Sequence, residues 1–465
     1  MHSVHQHTLS PRFPHGQEMW EMRTRFVAVT LMLALLCVVT CAWADQSPAP
    51  ADDEPSEVAV VWFDTLYEVV KSEAIAFAEA SRIYGVSAVA LYEAIVRGTL
   101  HNRSLVGQLD RLTAVPQPQE ELKYHWPTVA NAALAHTIRG IFTSLKPESL
   151  EAINDVEQRF AAPFQTEIDE QEYQRSVDQG QKVADAILAW AATDGFALFN
   201  NCPYVPEPVP GLWEPTPPNF VLNPEQPCWG QLLPMVLDSS TECAPPGHPG
   251  FSTDPESTFY AAAFEVYQTG LSLTEEQKTI AQYWADLVGT TGTSSGHWMA
   301  IVGQIARNDG LSLAAAAEAY AKLGMTVTDA FITIFHAKYQ YNLVRPVTYI
   351  QDNINHAWMP YLERTPSNPS YSSGHSTQSR AAAEVLTDLF GDKAFIDTTH
   401  IDHHLMPPQE PRAFNSFKEA AAEAAISRLY GGIHYAFDND DGRASGRCVG
   451  QAIDDRVRFK DSDDT

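Results

Sequence analysis

The chain has 465 residues, 45% of them hydrophobic and 19% charged, a balance that belongs to a folded protein with a sizeable core and not to a disordered one. Its 58 Asp and Glu against 30 Lys and Arg leave a net charge of −28. That argues against a nucleic-acid surface or a polybasic membrane contact, since both need clustered cations.

Arg23 and Arg25 precede an apolar run from Phe26 to Val39, and Ala42-Trp43-Ala44 supplies a small-x-small cleavage site before Asp45. Residues 1–44 therefore read as an N-terminal extension plus a cleaved signal peptide, the part before Met22 being an upstream start or an unstructured tail. The run is short for a bilayer span, and no later stretch is long and apolar enough to cross a membrane. The expectation is a secreted or periplasmic protein with no integral membrane segment after signal removal. Residues 45–56 are polar, acidic and Pro-containing, the composition of a mobile tail.

Helical periodicity marks 57–199 as a first bundle, with Ala-rich amphipathic stretches at 72–96 and 126–144 and a more charged one at 166–192. Residues 200–255 break the pattern: Pro and Gly crowd around Gly211-Leu-Trp-Glu-Pro-Thr-Pro-Pro218. This is an irregular but ordered connector, with Trp213 and Trp229 as its anchors. Once Cys37 and Cys41 leave with the signal, four cysteines allow three pairings. Cys202 and Cys228 bracket one Pro-rich loop and are the first choice for a disulfide. No C-x-x-C occurs, so a staple is favoured over a metal or redox site.

Residues 256–456 resume helical periodicity at 273–287, 298–306, 312–341, 375–390 and 416–429. No alternating strand pattern of any length appears. The fold class is all-α, two helical bundles joined by a Pro-rich irregular connector.

Three segments of the second bundle carry chemistry. Lys338 and Arg345 stand seven apart, about two helical turns, so one continuous helix would project both from one face, with Pro346 fixing its end. Ser373-Gly374-His375 leads into a helix N-terminus, where free N–H groups and the macrodipole favour an anion. Arg428 and His434 are six apart and out of helical alignment, but Gly431-Gly432 can end the helix and turn His434 back. Each segment alone has an ordinary alternative: a solvated face, a Ser N-cap, a satisfied structural histidine. Together, three cations, a helix N-terminus and two histidines suit one task, neutralising a tetrahedral oxyanion while an imidazole attacks or ligates its centre.

The ordered pattern K-x6-R-P, S-G-H and S-R-x5-H-x3-D resembles the vanadium-dependent haloperoxidase and type 2 phosphatidic-acid phosphatase superfamily. Trp213-Glu-Pro-Thr-Pro-Pro218, Gly296-His297-Trp298, 338–348 and 427–442 look like its bacterial haloperoxidase-like branch. The resemblance covers most of the mature chain, most tightly 256–453, and implies a vanadium chloroperoxidase/acid phosphatase-like fold. It implies that Lys338, Arg345 and Arg428 neutralise the oxygens of vanadate, with the Ser373 hydroxyl and Gly374 N–H adding hydrogen bonds. His434 would ligate vanadium and His375 would handle peroxide protons, Lys338 also polarising bound peroxide. Hydrogen peroxide and a halide would be the substrates. Phosphate can substitute for vanadate; with a phosphomonoester, His434 would become phosphorylated and His375 would protonate the leaving group.

Asp438 matches a family Asp, and either caps a loop or orients His434. The resemblance also puts His297 in the same pocket. Asn368 stands where Phe or His is common and Ser372 where Pro is common. Neither is expected to touch the anion cradle, but a polar Asn368, only partly offset by Phe335, favours bromide and iodide over chloride. His400-Ile-Asp402-His403-His404 reads as a surface loop ahead of a divalent-metal site. Two alternatives stand beside the haloperoxidase: a soluble secreted acid phosphatase, and a non-catalytic oxyanion binder, which would not need two histidines. A homo-oligomer is left open.

Overall fold

The computed structural model describes residues 49–460; the extension, the signal segment and the start of the acidic tail lie outside them. Helix α1 (Glu57–Glu73) ends where Ala74 takes a left-handed φ of 53° and returns its N–H to Lys71 and Val70. Helix α2 (Phe77–Ile95) starts afresh, so the expected stretch at 72–96 is two helices and not one. α3 (Trp126–Ile141), α4 (Pro147–Glu167) and α5 (Glu170–Ala191) follow, α5 being capped by Asp169, which accepts from the N–H groups of Gln171 and Glu172.

The connector is irregular apart from single helical turns at Phe196–Phe199 and Trp229–Gln231. Its anchors, Trp213 and Trp229, are fully buried. Cys202 and Cys228 form the expected disulfide, and Cys243–Cys448 clips the connector to the last helix. Beyond it come α6 (Thr258–Leu271), α7 (Glu275–Tyr283), α8 (Thr293–Asp309), α9 (Leu313–Tyr341), α10 (Pro346–Asn353), α11 (Gly374–Phe390), α12 (Phe417–Tyr430) and α13 (Ala436–Arg456). Among the described residues the one sheet is a two-stranded antiparallel ribbon, β1 (Phe395–Asp397) with β2 (Arg412–Phe414). The fold is all-α otherwise. Among the described residues no helix is long and apolar enough to cross a membrane.

α2 and α9 are Ala-rich and buried on nearly every face, which makes them the interior helices. They cross closely because Gly85 meets Gly324: a Cβ on Gly85 would lie 2.2 Å from Thr328 Oγ1 and 2.8 Å from the Gly324 carbonyl. A second close crossing joins α11 to α13, where a Cβ on Gly446 would fall 2.0 Å from the Thr377 carbonyl. These contacts fix the end of α9 and the start of α11. One apolar core includes residues from both halves of the sequence, Trp62, Tyr84 and Leu91 with Tyr320, Leu323 and Phe417 among them.

Residues 49–56 are tied down, contrary to the expected mobile tail. Ala51 is buried and its N–H donates to Gly98 O at 2.8 Å, while Leu313 N–H donates to Glu54 O at 2.7 Å.

Candidate active site

Lys338 lies in the last turn of α9, which Asn342 closes in a left-handed conformation (φ 47°), its N–H donating to Lys338 O. The helix thus stops before Arg345, and the expectation of one continuous helix carrying both cations is wrong. Arg345 instead occupies the N-cap position of α10, in extended backbone ahead of Pro346. The reversal still brings both side chains to one place. Lys338 Nζ donates to Pro369 O at 2.7 Å and Ser370 O at 3.2 Å.

Arg345 is held from three sides. Its Nε and Nη2 donate to the carbonyl and side-chain oxygens of Asn368, both at 2.7 Å, and Nη1 donates to Ile433 O at 2.9 Å. Asn368 therefore touches the cradle, against expectation, and its Nδ2 donates onward to Glu225 at 2.9 Å.

The 369–373 loop delivers Ser373 as N-cap of α11, with Ser376 N–H donating to its Oγ at 3.4 Å and the Ser376 hydroxyl 2.9 Å away. That oxygen is fully buried in the cap and is not part of the cavity wall; the Gly374 backbone is. A Cβ on Gly374 would meet only Ile334, at 3.8 Å, so the space over this helix N-terminus is open. His375 is no surface residue: it is 9% exposed, with Phe77 edge-on to its ring. Ser372 is buried beside it, its hydroxyl unpartnered.

α12 ends at Tyr430, and Gly432 adopts φ 75°, a conformation that glycine takes without strain. The turn carries His434 back to the cations, as the glycine pair foreshadows. Arg345 Nη1 donates to His434 Nε2 at 3.1 Å, and His434 Nδ1 donates to Asp438 at 2.8 Å. That second bond fixes the tautomer, so Nε2 carries the lone pair that Arg345 engages at the edge of the cavity. Asp438 also accepts from Ser370 Oγ at 2.5 Å and, as third residue of α13, from Tyr435 N–H at 3.2 Å. It both caps and orients. Arg428 donates to Trp284 O, while its buried Nε has no partner.

One cavity is lined by Lys338, Arg345, Gly374, His375, Arg428 and His434, with Asn368 and a wall of Phe77, Leu287, Phe331, Ile334 and Phe335. His297 is not on that wall. It is fully buried behind it, stacked on Trp284, its Nδ1 donating to Asp286 at 3.0 Å and its Nε2 to Asp397 at 2.7 Å. Asp286 in turn presents Oδ2 to His375 Nε2 at 3.5 Å, an ion-pair distance without hydrogen-bond alignment. Sequence reasoning missed Asp286 and Asp397. The only signal for either was a buried histidine in need of acceptors. The 400–404 histidines do not converge: His400 Nε2 bonds to Tyr283 O and His403 Nδ1 to Glu68, both rings being buried and not in a surface loop.

Electrostatically the cradle is a cluster of like charges. Burial and then the neighbouring Arg345 hold the Lys338 ammonium well below its usual range. Burial lowers Arg345 and Arg428 each to about 10. His434 is held well below 6.5 by burial and then by Arg345, Lys338 and Arg428, so it is neutral. Burial lowers His375 to about 4, with Arg428 adding to it. His297 is the opposite case: against the pull of burial, Asp286 and Asp397 push it up to about 10, making it an imidazolium. Burial alone would raise Asp286, but His297 holds it far below the usual carboxylate range.

Residues 318–460 match the family model described as the VCPO second helical-bundle domain. The structure resembles that of the first bacterial vanadium-dependent iodoperoxidase, with TM-score 0.82 and 32% identity over 89% of this chain and 99% of that one. It also resembles a bacterial vanadium-dependent chloroperoxidase in its holo form (TM-score 0.60, 14% identity, 84% of this chain and 96% of that one). The apo form of such a chloroperoxidase gives TM-score 0.60 and 14% identity over 88% of this chain and 99% of that one. At 14% identity the likeness is one of fold alone. Comparison with curated proteins gives no match.

Proposed function

The chain belongs to the vanadium-dependent haloperoxidase family, and from that premise we propose that it uses hydrogen peroxide to oxidise halide, iodide and bromide ahead of chloride. The balanced reaction is H2O2 + X− + H+ → HOX + H2O: the O–O bond breaks, the halide loses two electrons and one proton is consumed. The observation that carries this reading is the convergence of Lys338, Arg345 and Arg428, all at most 3% exposed, around a space that contains no carboxylate. Like charges buried together gain from an anion placed between them.

The residues fit vanadate. The unpartnered Arg428 Nε and the open N-terminus of α11 are donors without acceptors, and His434 Nε2 is an unprotonated nitrogen whose lone pair only Arg345 Nη1 engages. Lys338, Arg345, Arg428 and the Gly374 N–H would hold the oxygens, and His434 would ligate the centre. Vanadate, when bound, supplies a Lewis-acidic centre that activates hydrogen peroxide.

The chain's own residues do the rest. His375, neutral above about pH 4, accepts and returns a proton, and the ionised Asp286 against its Nε2 stabilises the imidazolium while it lasts. Phe331, Ile334, Phe335 and Leu287 keep water from the reacting atoms and strengthen the fields acting there. The amide of Asn368 makes one side of that wall polar, which suits the more easily oxidised halides. Export is part of the proposal, supported by two disulfides, which persist in oxidising compartments.

The deciding experiment assays purified, vanadate-free protein for bromide and iodide oxidation and for phosphomonoester hydrolysis, each with and without vanadate. Peroxidase activity appearing only with vanadate, and suppressed by phosphate, is the expected result. Hydrolysis without any vanadate-dependent oxidation would favour the phosphatase chemistry, and binding without either reaction a passive oxyanion site.

A further inference from the structure

The active-site cavity shares four wall residues, Phe77, Leu287, Arg364 and Pro366, with a second cavity on the side of the Pro-rich connector. Three of the four are apolar and one is a cation, so the junction between the two spaces is an apolar frame with one guanidinium on it. Arg364 is exposed; among the described residues its side chain has no hydrogen bond or ion pair, and its charge acts at longer range on the Glu225 carboxylate. The two walls together hold one carboxylate, Glu225, and that group accepts from Asn368 Nδ2 at 2.9 Å. Arg364 is thus tied into no hydrogen bond or salt bridge, yet stands on the wall common to the cavity of Arg345 and Lys338 and to its neighbour.

On a chain of net charge −28, the mean field around the molecule repels both halide and oxyanion before either reaches the buried cations. Steering by a local charge near a low-dielectric wall offsets such repulsion and acts on the rate of arrival. We infer that Arg364 is the entry guide for anions: it draws halide and oxyanion across the Phe77–Leu287–Pro366 frame and hands them to the cradle. It is a positioning residue, in contact with neither reaction partner once bound. The inference rests on the proposed function only in taking halide as a substrate.

The chemistry supplies its own control, since hydrogen peroxide is neutral and must pass the same frame. The test compares Arg364→Gln, Arg364→Glu and Arg364→Lys with the unmodified, vanadate-loaded enzyme at about 0.01 M and about 0.5 M salt, which spans long and short screening lengths. At low salt kcat/KM for iodide should fall roughly three- to tenfold in Arg364→Gln. The fall should be larger in Arg364→Glu and slight in Arg364→Lys. High salt should close the gap, while kcat at saturating iodide and kcat/KM for peroxide stay put. In vanadate-free protein, the association rate of inorganic phosphate, followed by tryptophan fluorescence, should fall in the same order.

Iodide kcat/KM that is unchanged, or that falls equally at both salt concentrations, overturns the inference, and so does an equal fall for peroxide. Should no variant, nor the unmodified protein, oxidise halide, the proposed function fails. The phosphate association rates then decide the role of Arg364 by themselves: the ordered, salt-sensitive slowing supports it and equal rates overturn it.

Discussion

Asp286 Oδ2 stands 3.5 Å from His375 Nε2 while Asp286 Oδ1 accepts from His297, so one carboxylate links the proposed proton carrier to a buried imidazolium. The charge on Asp286 is thereby assured at every working pH, and it faces the ring nitrogen that has no other partner. We expect Asp286→Asn to lower kcat about 10- to 100-fold, below the full value of a general acid–base group, and to move the acid limb of the pH profile. The dissociation constant for vanadate should change little. A fall in vanadate affinity as large as the fall in kcat would place Asp286 in the cradle instead.

The two histidines of the cavity should separate cleanly. His434→Ala removes the unprotonated imidazole nitrogen beside Arg345 and should abolish tight vanadate binding in calorimetry. His375→Ala should retain vanadate and lose roughly 10²–10⁴-fold in kcat. Equal loss of vanadate from both variants would contradict this division.

Stability of the ligand-free protein should peak near neutral pH, for two opposed reasons. His297 titrates at about 10 when folded and at about 6.5 when unfolded. Its contribution is complete below 6.5 and is lost as pH rises toward 10, because the unfolded state releases its proton first. His375 titrates at about 4 when folded, so between pH 6.5 and 4 the unfolded state gains a proton that the folded state refuses, and stability falls with pH. Denaturant titrations across pH 4–10 measure both limbs. His297→Gln should flatten the alkaline limb and His375→Gln part of the acid one.

Asn368→Phe is a sharper probe than its sequence position suggests. The substitution removes one hydrogen bond to a charged guanidinium, worth about 1.5–3 kcal/mol, and leaves Glu225 without its amide donor. We expect vanadate affinity to drop tenfold or more before any gain in chloride turnover can be read. The unmodified enzyme should turn over iodide and bromide with little chloride. Comparable kcat/KM for chloride and bromide would refute the polar-pocket argument.

Cys243–Cys448 closes a loop of 205 residues and Cys202–Cys228 one of 26. In the chain-entropy account these are worth about 5 and about 3.5 kcal/mol. Replacing Cys243 and Cys448 by Ser should therefore lower the thermal midpoint more than replacing the other pair, as calorimetry would register.

The cradle was legible because its members carry short-range signals: Ser-Gly-His before an apolar helix, Gly431-Gly432 before His434, and Lys338 with Arg345-Pro346. What failed was the path between them. Asn342 is a residue type that tolerates the left-handed cap, yet seven-residue spacing masked it as helix interior. α13 lies beyond the last periodic stretch, and Gly442, Gly446 and Gly450 interrupt its apolar pattern. Spaced four apart, they instead form the small face that lets α13 lie against α11. Asp286 and Asp397 share no motif and meet only through His297, a relationship that exists in space and not along the chain.

Neither the active-site cavity nor the one beyond Arg364 has a methionine or a cysteine on its wall. Thioethers and thiols are side chains that oxidants readily consume, and the methionines of the described residues, Met235, Met299, Met325, Met359 and Met406, lie on neither wall. An oxidised halogen formed in this cavity would meet no sulfur on either wall, which spares the site the loss that such side chains suffer.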